Sequence, residues 1–404
     1  MAAPRYDVCV VGAGLVGLAT ARAIADSHSG ISILVLEKEP GVAAHQSSHN
    51  SGVIHSGLYY RPGSLKARLA VEGRRALYEL AEVAGIAHGR SGKVVIASDR
   101  SQLSALEELE RRGKANGLSG LRRLEAGEIR DFEPAATGVA ALLVPEAGVI
   151  DFGAVASHLT AELARDGTQI LTGSPVTRIE HNTAGVRVAT AEDSHEARVL
   201  VNCAGLHADH IAELAGVVPR VRIVPFRGEY YQLSPDAAPY VRALIYPVPD
   251  PRFPFLGVHF TRRVDGVVEV GPNAVVALGR EHYRGASPNW AEVWETLTYR
   301  GFLRFALNNW RSGIAEILRS RSRRLYAKSA AVLVPAVERR HLMKGGAGVR
   351  AQAVRPDGTL EDDFVFEEAG STVHVLNAPS PAATASLAIG VHIAERVSSI
   401  IAVK

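Results

Sequence analysis

The first 37 residues constrain the fold of this chain more than any other segment. A valine-rich apolar run at residues 6–11 leads into the glycine turn GAGLVG, and an alanine-rich helical pattern covers residues 15–25. A second apolar run, ISILVLE, begins at residue 31. Short apolar runs predict strands, and apolar residues at helical spacing predict a helix. The segment is therefore predicted to form a βαβ unit with two parallel strands.

The turn has the spacing GxGxxG, which is typical of a dinucleotide site when it links a strand to a helix. Gly12 permits the tight turn, Gly14 lets the backbone approach a pyrophosphate, and Gly17 permits close packing of the helix. Ala13 and Val16 lie between these glycines and are expected to contact the same ligand. The phosphates would accept hydrogen bonds from free N–H groups at the helix N-terminus, where the helix dipole favours anions.

An acidic residue completes the motif. Glu37 ends the second strand 20 residues after Gly17, where its carboxylate can accept hydrogen bonds from ribose hydroxyls, and Lys38 follows it. The motif alone does not separate FAD from NAD. No second GxGxxG occurs, so there is no separate nicotinamide-binding domain. A bound flavin that its substrate reduces directly is therefore the prediction, with FAD as the cofactor.

Composition narrows the class of protein. The chain has 404 residues, 47% of them hydrophobic, which is enough for two domains with a large core. Its net charge of +3 is too small for a concentrated nucleic-acid-binding surface. Cys9 and Cys203 lie in apolar runs, which favours reduced, buried thiols, and no zinc spacing or other metal site is found.

No signal or transit peptide is recognised, and no uninterrupted apolar stretch reaches the roughly 18 residues of a spanning helix. We expect a cytoplasmic protein.

The remaining patterns predict an α/β protein in which a Rossmann-type FAD-binding domain is interleaved with an antiparallel-sheet substrate domain. VLVNCAG at 199–205 is typical of a buried parallel strand that rejoins the first domain, whereas residues 219–276 are strand-rich with turn breaks. We assign residues 1–85, 145–218 and 345–404 to the FAD-binding domain. Residues 86–144 and 219–344 form the predicted substrate domain, including a helical segment at 288–328.

A loop rich in histidines and small residues, HQSSHNSGVIHSGLYYRPGSLKA, covers residues 45–67. Small side chains there would let the backbone lie against the cofactor. The predicted cofactor contacts in this loop are His45, Ser47, Ser48, His49, Asn50 and Ser51. Further contacts are expected from Val176, Ala204, Gly205 and Gly348.

This loop resembles the L-2-hydroxyglutarate dehydrogenase/oxidase family of the D-amino-acid-oxidase-like flavoproteins. Four more segments match that family, namely FRGEYYQL from residue 226, IYPVPDPRFPFLGVHFT from 245, GAGVRAQ ending at 352, and NAPSPAATASLAIG from 377. The resemblance implies oxidation of L-2-hydroxyglutarate to 2-oxoglutarate, with electrons passed from FAD to a membrane quinone or another acceptor. The mitochondrial members carry a targeting extension that this sequence lacks, which favours a bacterial-type cytosolic form. An amine or amino-acid oxidase of the same superfamily, or a non-catalytic flavin- or membrane-binding protein, remains an alternative.

Oxidation of a 2-hydroxy acid requires a hydride to leave C2 for flavin N5 while a base accepts the hydroxyl proton. Neutral imidazole suits that task near pH 7. His55, in the histidine loop, is the first candidate, and His259, in LGVHFT, is the second. The alternative for each is a histidine that only shapes its own segment. His49 stands at HNSG, similar to the HAAG of the dimethylglycine dehydrogenase relatives, where that histidine can bond covalently to the flavin; here we favour noncovalent packing.

A dicarboxylate substrate needs two clamps, and arginine matches a planar carboxylate best. Arg350 in GVRAQ is similar to the GxRP arginine that holds the substrate carboxylate in related amino-acid oxidases. Arg61 and Lys66 could meet the second carboxylate or be solvated instead, and Tyr60 and Tyr246 could donate hydroxyl hydrogen bonds.

The segment Ser380-Pro381-Ala382-Ala383-Thr384 precedes the last predicted helix, at residues 382–400. Backbone N–H groups at the start of this helix are expected to face the N1–C2=O edge of the flavin. Such groups stabilise negative charge on a reduced ring.

A basic and aromatic segment lies near the C-terminal third of the chain. Trp290, Trp294 and Trp310 fall within 21 residues, and residues 300–328 hold eight basic residues against one acidic residue. Such a segment suits an anionic membrane surface, where a quinone acceptor would be found. The alternative is a helical subdomain that packs the tryptophans in its own core.

Overall fold

The computed structural model describes residues 5–249, 256–283 and 287–403, so part of the segment from 245 to 261 lies outside the described residues. The described residues form two large sheets. The first has eight strands in the order β10-β11-β12-β1-β2-β9, with β20 also paired to β12 and β19 paired to β20. Its strands are β1 (Arg5–Val11), β2 (Ile33–Leu36), β9 (Gln169–Leu171), β10 (Arg178–Asn182), β11 (Gly185–Ala189), β12 (Ser194–Asn202), β19 (Val365–Ala369) and β20 (Thr372–Asn377).

The second sheet has nine strands in the order β17-β13-β16-β15-β14-β5-β7-β6, with β18 also paired to β13. Its pairings are antiparallel except that of β5 with β14. Its strands are β5 (Lys93–Ala97), β6 (Arg122–Glu125), β7 (Ala140–Val144), β13 (Arg222–Leu233), β14 (Leu244–Pro247), β15 (His259–Arg262), β16 (Val268–Gly271), β17 (Val275–Val276) and β18 (Leu342–Val354). A small sheet joins β3 (Val53–Ile54), β8 (Gly148–Ile150) and β4 (His88–Gly89).

Helices flank these sheets. They are α1 (Leu15–Ser27), α2 (Leu65–Ala84), α3 (Leu103–Ala115), α4 (Ile129–Phe132), α5 (Phe152–Arg165), α6 (Ala208–Leu214), α7 (Trp290–Thr298), α8 (Arg300–Arg321), α9 (Arg323–Ala331) and α10 (Ala382–Val403). Single 3₁₀ turns cover Arg100–Gln102, Gly205–His207, Ala238–Tyr240 and Arg339–His341.

The small residues of α1 allow close packing against α10. A Cβ added to Gly390 of α10 would lie 2.4 Å from the carbonyl oxygen of Ala19, so the two helices touch through their backbones. Ile389, Ile393 and Val397 of α10 are fully buried in the same core. By length and composition alone, the stretch Ala382–Ala402 is apolar enough to cross a membrane. Its packing is that of a core helix of the first domain.

The predicted fold class is confirmed. β1 is parallel to both β2 and β12, so Val11 lies beside Leu36 and Asn202 and the carboxyl ends of these strands meet at one edge. The boundary predicted at residue 345 falls inside β18, which spans 342–354 and belongs to the second sheet. The predicted start of the last FAD-binding segment is therefore wrong, since residues 345–354 belong to the second sheet. The glycine-rich stretch GGAG is typical of a turn in the sequence, whereas it forms extended strand in the structure.

Candidate functional site

A cavity of about 710 Å³ runs from the glycine turn to one face of the second sheet. Its volume lies in the range usual for ligand and cofactor sites. Most of the predicted site residues line it, namely Gly12, Gly14, Val16, Glu37, Lys38, His45, Ser47, His49, Asn50, Ser51, His55, Lys66, Val176, Ala204, Gly205, Tyr246, His259, Gly348, Arg350, Ser380, Pro381, Ala382, Ala383 and Thr384. Residues that are more than 300 positions apart in the sequence therefore share one wall.

The glycine turn is held so tightly that no side chain fits at two of its positions. Gly12 has φ +103°, and a Cβ there would lie 2.6 Å from the carbonyl oxygen of Cys203. A Cβ on Gly17 would lie 1.9 Å from the carbonyl oxygen of Gly12. The helix therefore starts directly against the turn, and Gly14, Leu15 and Val16 at its N-terminus line the cavity, as the dinucleotide interpretation requires.

Two side chains brace this turn. The Glu37 carboxylate, which is buried, accepts a hydrogen bond from the N–H of Ala13 at 2.8 Å and another from the N–H of Glu39 at 2.9 Å. The hydroxyl of Ser47 accepts from the N–H of Leu15 at 2.9 Å. Glu37 thus stands at the end of β2 with its carboxylate oriented, and each oxygen keeps a second lone pair for a ribose hydroxyl.

Five predicted residues do not line the cavity. Ala13 and Gly17 act through the backbone contacts just described, and Ser48 instead bonds to the backbone oxygen of His45 at 3.3 Å. Tyr60 lies behind the wall with the Lys66 ammonium 5.2 Å from its ring centre, and burial raises its pKa. Arg61 is exposed on the surface.

Lys66 reaches the cavity wall but already has an anionic partner. Its ammonium donates to the carboxylate of Asp362 at 3.0 Å and to the backbone oxygen of Asp362 at 2.8 Å. The side chain of Lys66 is nearly buried, whereas that of Asp362 is 94% exposed. The structure therefore places neither Arg61 nor an unpaired Lys66 where a substrate carboxylate would meet it.

A polar clasp, formed by Lys38, His45, His207, Glu281 and Tyr283, closes one side of the cavity. Lys38 and His207 both donate to Glu281, at 2.5 Å and 2.8 Å, and these contacts lower the pKa of Glu281 to about 2. His45 lies 3.2 Å from the Tyr283 hydroxyl. Glu281 and Tyr283 come from the segment after β17, so the clasp joins the two domains.

His49 faces this clasp. Its ring centre lies 4.3 Å from that of Tyr283, and its Nδ1 atom bonds to the backbone oxygen of His45 at 3.1 Å. The backbone oxygen of His49 also leaves no room for a side chain at Gly348, because a Cβ there would approach it to 2.4 Å. Gly348 therefore allows the histidine loop to lie directly on β18.

The backbone of His55 is held by a hydrogen bond to α10. Its backbone N–H donates to the Thr384 hydroxyl at 3.0 Å, and its Nε2 atom lies 3.4 Å from the Ser380 hydroxyl. Its Nδ1 atom is buried without a hydrogen-bond partner in the described residues. Burial, with smaller contributions from Lys93, His259 and Lys66, lowers the pKa of His55 well below its usual value. The imidazole is thus neutral and can accept a proton.

His259 stands at the start of β15 with its tautomer fixed. Its Nδ1 atom lies 2.9 Å from the backbone oxygen of Gly257, which can only accept, so Nδ1 carries the hydrogen and Nε2 keeps a lone pair. The ring stacks on Tyr246 with centres 4.0 Å apart. Burial lowers the pKa of His259 to about 3. The cavity therefore holds two neutral imidazoles.

Arg350 supplies a cation to the same cavity. It lies on β18 opposite Phe226 of β13 and hydrogen-bonds to the hydroxyl of Tyr230. Tyr230 also lines the cavity, and its pKa is raised, chiefly by burial. A guanidinium beside a phenol hydroxyl offers several donors to one carboxylate.

Sequence reasoning missed one side chain that lines the cavity, Tyr230, and two that lie next to Tyr246 without lining it, Tyr59 and Lys93. Tyr230 belongs to RGEYYQL, in which either tyrosine could face the cavity, and the β-bulge between Glu229 and Tyr231 alters the alternation there. The ammonium group of Lys93 lies against the rings of both Tyr59 and Tyr246. A lysine at the head of the apolar run KVVIA was the available signal.

Known proteins similar to this chain are FAD-dependent oxidoreductases, which agrees with a dinucleotide-binding glycine turn. The family model described as FAD dependent oxidoreductase (DAO) matches residues 7–396. An L-2-hydroxyglutarate dehydrogenase from Indibacter alkaliphilus is 45% identical over 387 residues, covering 95% of this chain and 97% of that protein. The human mitochondrial L-2-hydroxyglutarate dehydrogenase is 41% identical over 409 residues, covering 97% and 88%.

Among solved structures, the chain is similar to the L-alpha-glycerophosphate oxidase from Mycoplasma pneumoniae with FAD bound, with a TM-score of 0.79 and 24% identity, covering 98% of this chain and 95% of that one. Glycine oxidase from Geobacillus kaustophilus follows with a TM-score of 0.73 and 18% identity, covering 98% and 95%. These two likenesses show the fold. With the family match across almost the whole chain and the glycine turn built for a dinucleotide, the chain is a flavoprotein that belongs to the FAD-dependent oxidoreductases, within the L-2-hydroxyglutarate dehydrogenase family.

Proposed function

We propose that this protein oxidises L-2-hydroxyglutarate to 2-oxoglutarate. The observation that carries the proposal is the wall of the cavity, where Arg350, His55 and His259 come together next to the predicted flavin site. A guanidinium can hold the carboxylate beside C2, and a neutral imidazole can take the hydroxyl proton. The substrate is taken from the names of the two sequence relatives that are 45% and 41% identical to this chain, both of which are L-2-hydroxyglutarate dehydrogenases.

Bound FAD would accept the two electrons and the hydrogen that leaves C2. The chain's own contribution is to position the substrate and to remove one proton. We assign the proton to Nε2 of His55, which lies 3.4 Å from the hydroxyl of Ser380 just before α10, and treat His259 as the second candidate. Burial and cationic neighbours lower the pKa of both imidazoles. A dianionic substrate would raise both, because a nearby negative charge favours the protonated form.

Anaerobic bleaching of the flavin absorption tests the substrate class. L-2-hydroxyglutarate is expected to bleach the holoprotein, and glycine and sarcosine are not. Bleaching by glycine or sarcosine alone would make the protein an amine or amino-acid oxidase instead. No bleaching by any of the three would favour a non-catalytic flavin-binding protein.

The assignment of the base is tested by His55→Gln. This variant should keep FAD but reduce the rate of flavin reduction by about 10²–10⁴-fold. His158→Gln, at a half-buried position of α5 outside the cavity lining, is a matched control and should leave the rate of flavin reduction unchanged. If His259→Gln loses the rate and His55→Gln does not, the base is His259.

We further propose that the reduced enzyme passes its electrons to a quinone at an anionic membrane surface. Support comes from α7, where Trp290 and Trp294 are 69% and 70% exposed, and from Leu297, which follows them at helical spacing and is 49% exposed. These exposed tryptophans do not pack in a core. The alternative of a helical subdomain built around a tryptophan core is therefore wrong. Exposed tryptophan on a helix is typical of membrane-interface binding.

Helix α8 extends the same surface. Its outer face carries a stripe of exposed apolar residues at helical spacing, namely Leu303, Leu307, Trp310, Ile314, Ile317 and Leu318. Its inner face buries Phe302 and Phe305 against β13. Around the stripe, residues 300–328 carry eight basic side chains and only Glu316 as an acid. This combination is complementary to the headgroups of anionic lipids and supports binding to a bilayer. We therefore propose that the protein acts at the periphery of the inner membrane, on its cytoplasmic side.

Vesicle flotation tests this surface. The holoenzyme should float with vesicles containing phosphatidylglycerol but not with pure phosphatidylcholine, and added salt should weaken binding. Replacing Trp290 and Trp294 by Ser should reduce binding while flavin reduction stays unchanged. Val218→Ser, at an exposed apolar position outside these helices, is the control. Equal binding by the tryptophan variant and the control would refute the membrane assignment.

A further inference from the structure

Lys93 is a buried cation without an anion. It begins β5, is 1% exposed, and its ammonium has no hydrogen-bond partner in the described residues. The other buried cations of the described residues each have a carboxylate, in the pairs Lys66–Asp362, Arg74–Glu146 and Arg280–Asp209. An unpaired buried amine is costly, so a folded chain that keeps one at its active cavity calls for an explanation.

The surroundings of Lys93 are aromatic. Its ammonium nitrogen lies 4.1 Å from the ring centre of Tyr246 and 5.2 Å from that of Tyr59. Tyr246 lines the cavity and stacks on His259, so the lysine is one aromatic ring away from the space where a substrate would lie. Such rings stabilise an ammonium without neutralising its charge.

The titratable groups around Lys93 do not supply a counter-ion. Those that interact with it are Tyr59 and His55 of the histidine loop, Tyr246 of β14 and His259 of β15. Glu269 of β16 is the carboxylate that also acts on Tyr246, and it is held by Arg263 at 3.0 Å. The nearest strand neighbours, Leu244 and Val144, are apolar.

Burial lowers the pKa of Lys93 to about 7. Near neutral pH the amine is therefore balanced between its neutral and its charged form. A negative charge that enters the cavity favours the charged form, so the lysine would take a proton from solvent when an anion binds. The larger the charge of the anion, the stronger this response.

We infer that Lys93 selects dicarboxylates: it becomes an ammonium when a second carboxylate enters the cavity and attracts that carboxylate through the Tyr246 ring. This inference rests on the proposed function, since it assumes a dianionic substrate. It also explains how the cavity can prefer a dicarboxylate although Arg61 is exposed and Lys66 is already paired. Lys93 acts here as a positioning residue, because its ammonium does not line the cavity.

Two ligands of equal chain length separate this role from a structural one. 2-Oxoglutarate and 2-oxopentanoate differ only in the distal carboxylate, and binding of each to the oxidised holoprotein can be followed by perturbation of the flavin absorption. Lys93→Met keeps the length of the side chain and removes its charge. It should weaken 2-oxoglutarate at pH 7 about tenfold or more, as expected for two charges several ångströms apart at an effective dielectric of about 20, and should leave 2-oxopentanoate within about twofold.

The pH profile supplies the second readout. In the wild type, the Kd for 2-oxoglutarate should rise as pH increases above about 7, because protonating the amine becomes harder. Isothermal titration in two buffers of different ionisation enthalpy should show proton uptake on binding. Both effects should vanish in Lys93→Met and persist in Lys344→Met, which removes an exposed lysine.

The outcomes distinguish the two proposals. If the wild type binds 2-oxoglutarate no better than 2-oxopentanoate, the dicarboxylate substrate itself is refuted. If the wild type does discriminate, but Lys93→Met keeps the ratio of the two Kd values and the proton uptake, Lys93 has no part in selection. Should Lys93→Met fail to retain FAD, Lys93→Arg serves instead, and its permanent charge should abolish proton uptake while keeping the preference for 2-oxoglutarate.

Discussion

Replacing Arg280 by Met should destabilise the protein strongly, because it leaves a buried carboxylate without its cation. The Arg280 guanidinium donates to both oxygens of Asp209, at 2.6 Å and 3.0 Å, and both side chains are 2% exposed. It also lies 3.4 Å from Glu295. The pair joins the segment that follows β17 to the start of α6, so it ties the second domain to the first.

The expected magnitude follows from what Asp209 keeps. Breaking a buried ion pair by removing one partner typically costs about 3–5 kcal/mol. Asp209 still accepts hydrogen bonds from the backbone N–H groups of Ile223 at 2.9 Å and His210 at 3.0 Å, which places the cost near the lower end, about 3 kcal/mol. The affinity for FAD should fall as well, since the same segment carries the Glu281 and Tyr283 of the clasp.

Urea unfolding of the holoprotein, followed by flavin fluorescence, measures this cost. Arg61→Met removes an exposed arginine and is the matched control. The double variant Arg280→Met with Asp209→Asn should recover much of the lost stability, because a neutral amide tolerates burial better than an unpaired carboxylate. The reasoning is refuted if Arg280→Met unfolds like Arg61→Met, or if the double variant is no more stable than the single one.

Three further outcomes are expected. Gly17→Ala should abolish FAD retention, since its Cβ would lie 1.9 Å from a backbone oxygen, whereas Gly127→Ala, with no atom within 4 Å, should remain yellow on purification. Because burial lowers the pKa of Lys93 to about 7, the unfolded chain binds more protons than the folded one between pH 7 and 10. The stability of the wild type relative to Lys93→Met should therefore rise by roughly 3–4 kcal/mol across that window, measured as the difference in free energy of unfolding in urea. Burial also raises the pKa of Cys9 and Cys203 to about 12, so neither thiol should react with a disulfide reagent at pH 8 until the protein is unfolded, and rapid labelling of the native protein would contradict this.

The first domain was predictable because its signals are local. The strand, turn, helix and acidic residue of the βαβ unit lie within 37 residues, and each is dictated by a short-range constraint such as the backbone contact at Gly17. The buried strand predicted at 199–205 overlaps β12, which ends at Asn202, and the last predicted helix, at 382–400, is α10. A βαβ unit with its motif can therefore be placed from the sequence alone.

The proposed second carboxylate clamp could not be predicted from the sequence, because it depends on contacts between distant segments. Arg61 and Lys66 follow the histidine loop in sequence, yet the start of α2 turns Arg61 outward and sets Lys66 against Asp362, nearly 300 residues later. Lys93 reaches Tyr246 only because β5 and β14 pair in parallel, across about 150 residues. Sequence proximity to a catalytic loop says little about which side chains share its cavity.

Burial and charge act together in this cavity. The two imidazoles and the amine are neutral, or nearly so, because burial disfavours their charged forms, and Lys66 is neutralised by Asp362. Before substrate binds, the cavity thus holds bases that are ready to accept protons, next to the guanidinium of Arg350. The substrate brings its own charge, which raises the affinity of these bases for protons at the moment when one must be accepted. A site built from exposed, already protonated groups would bind the dianion but would have no base to offer.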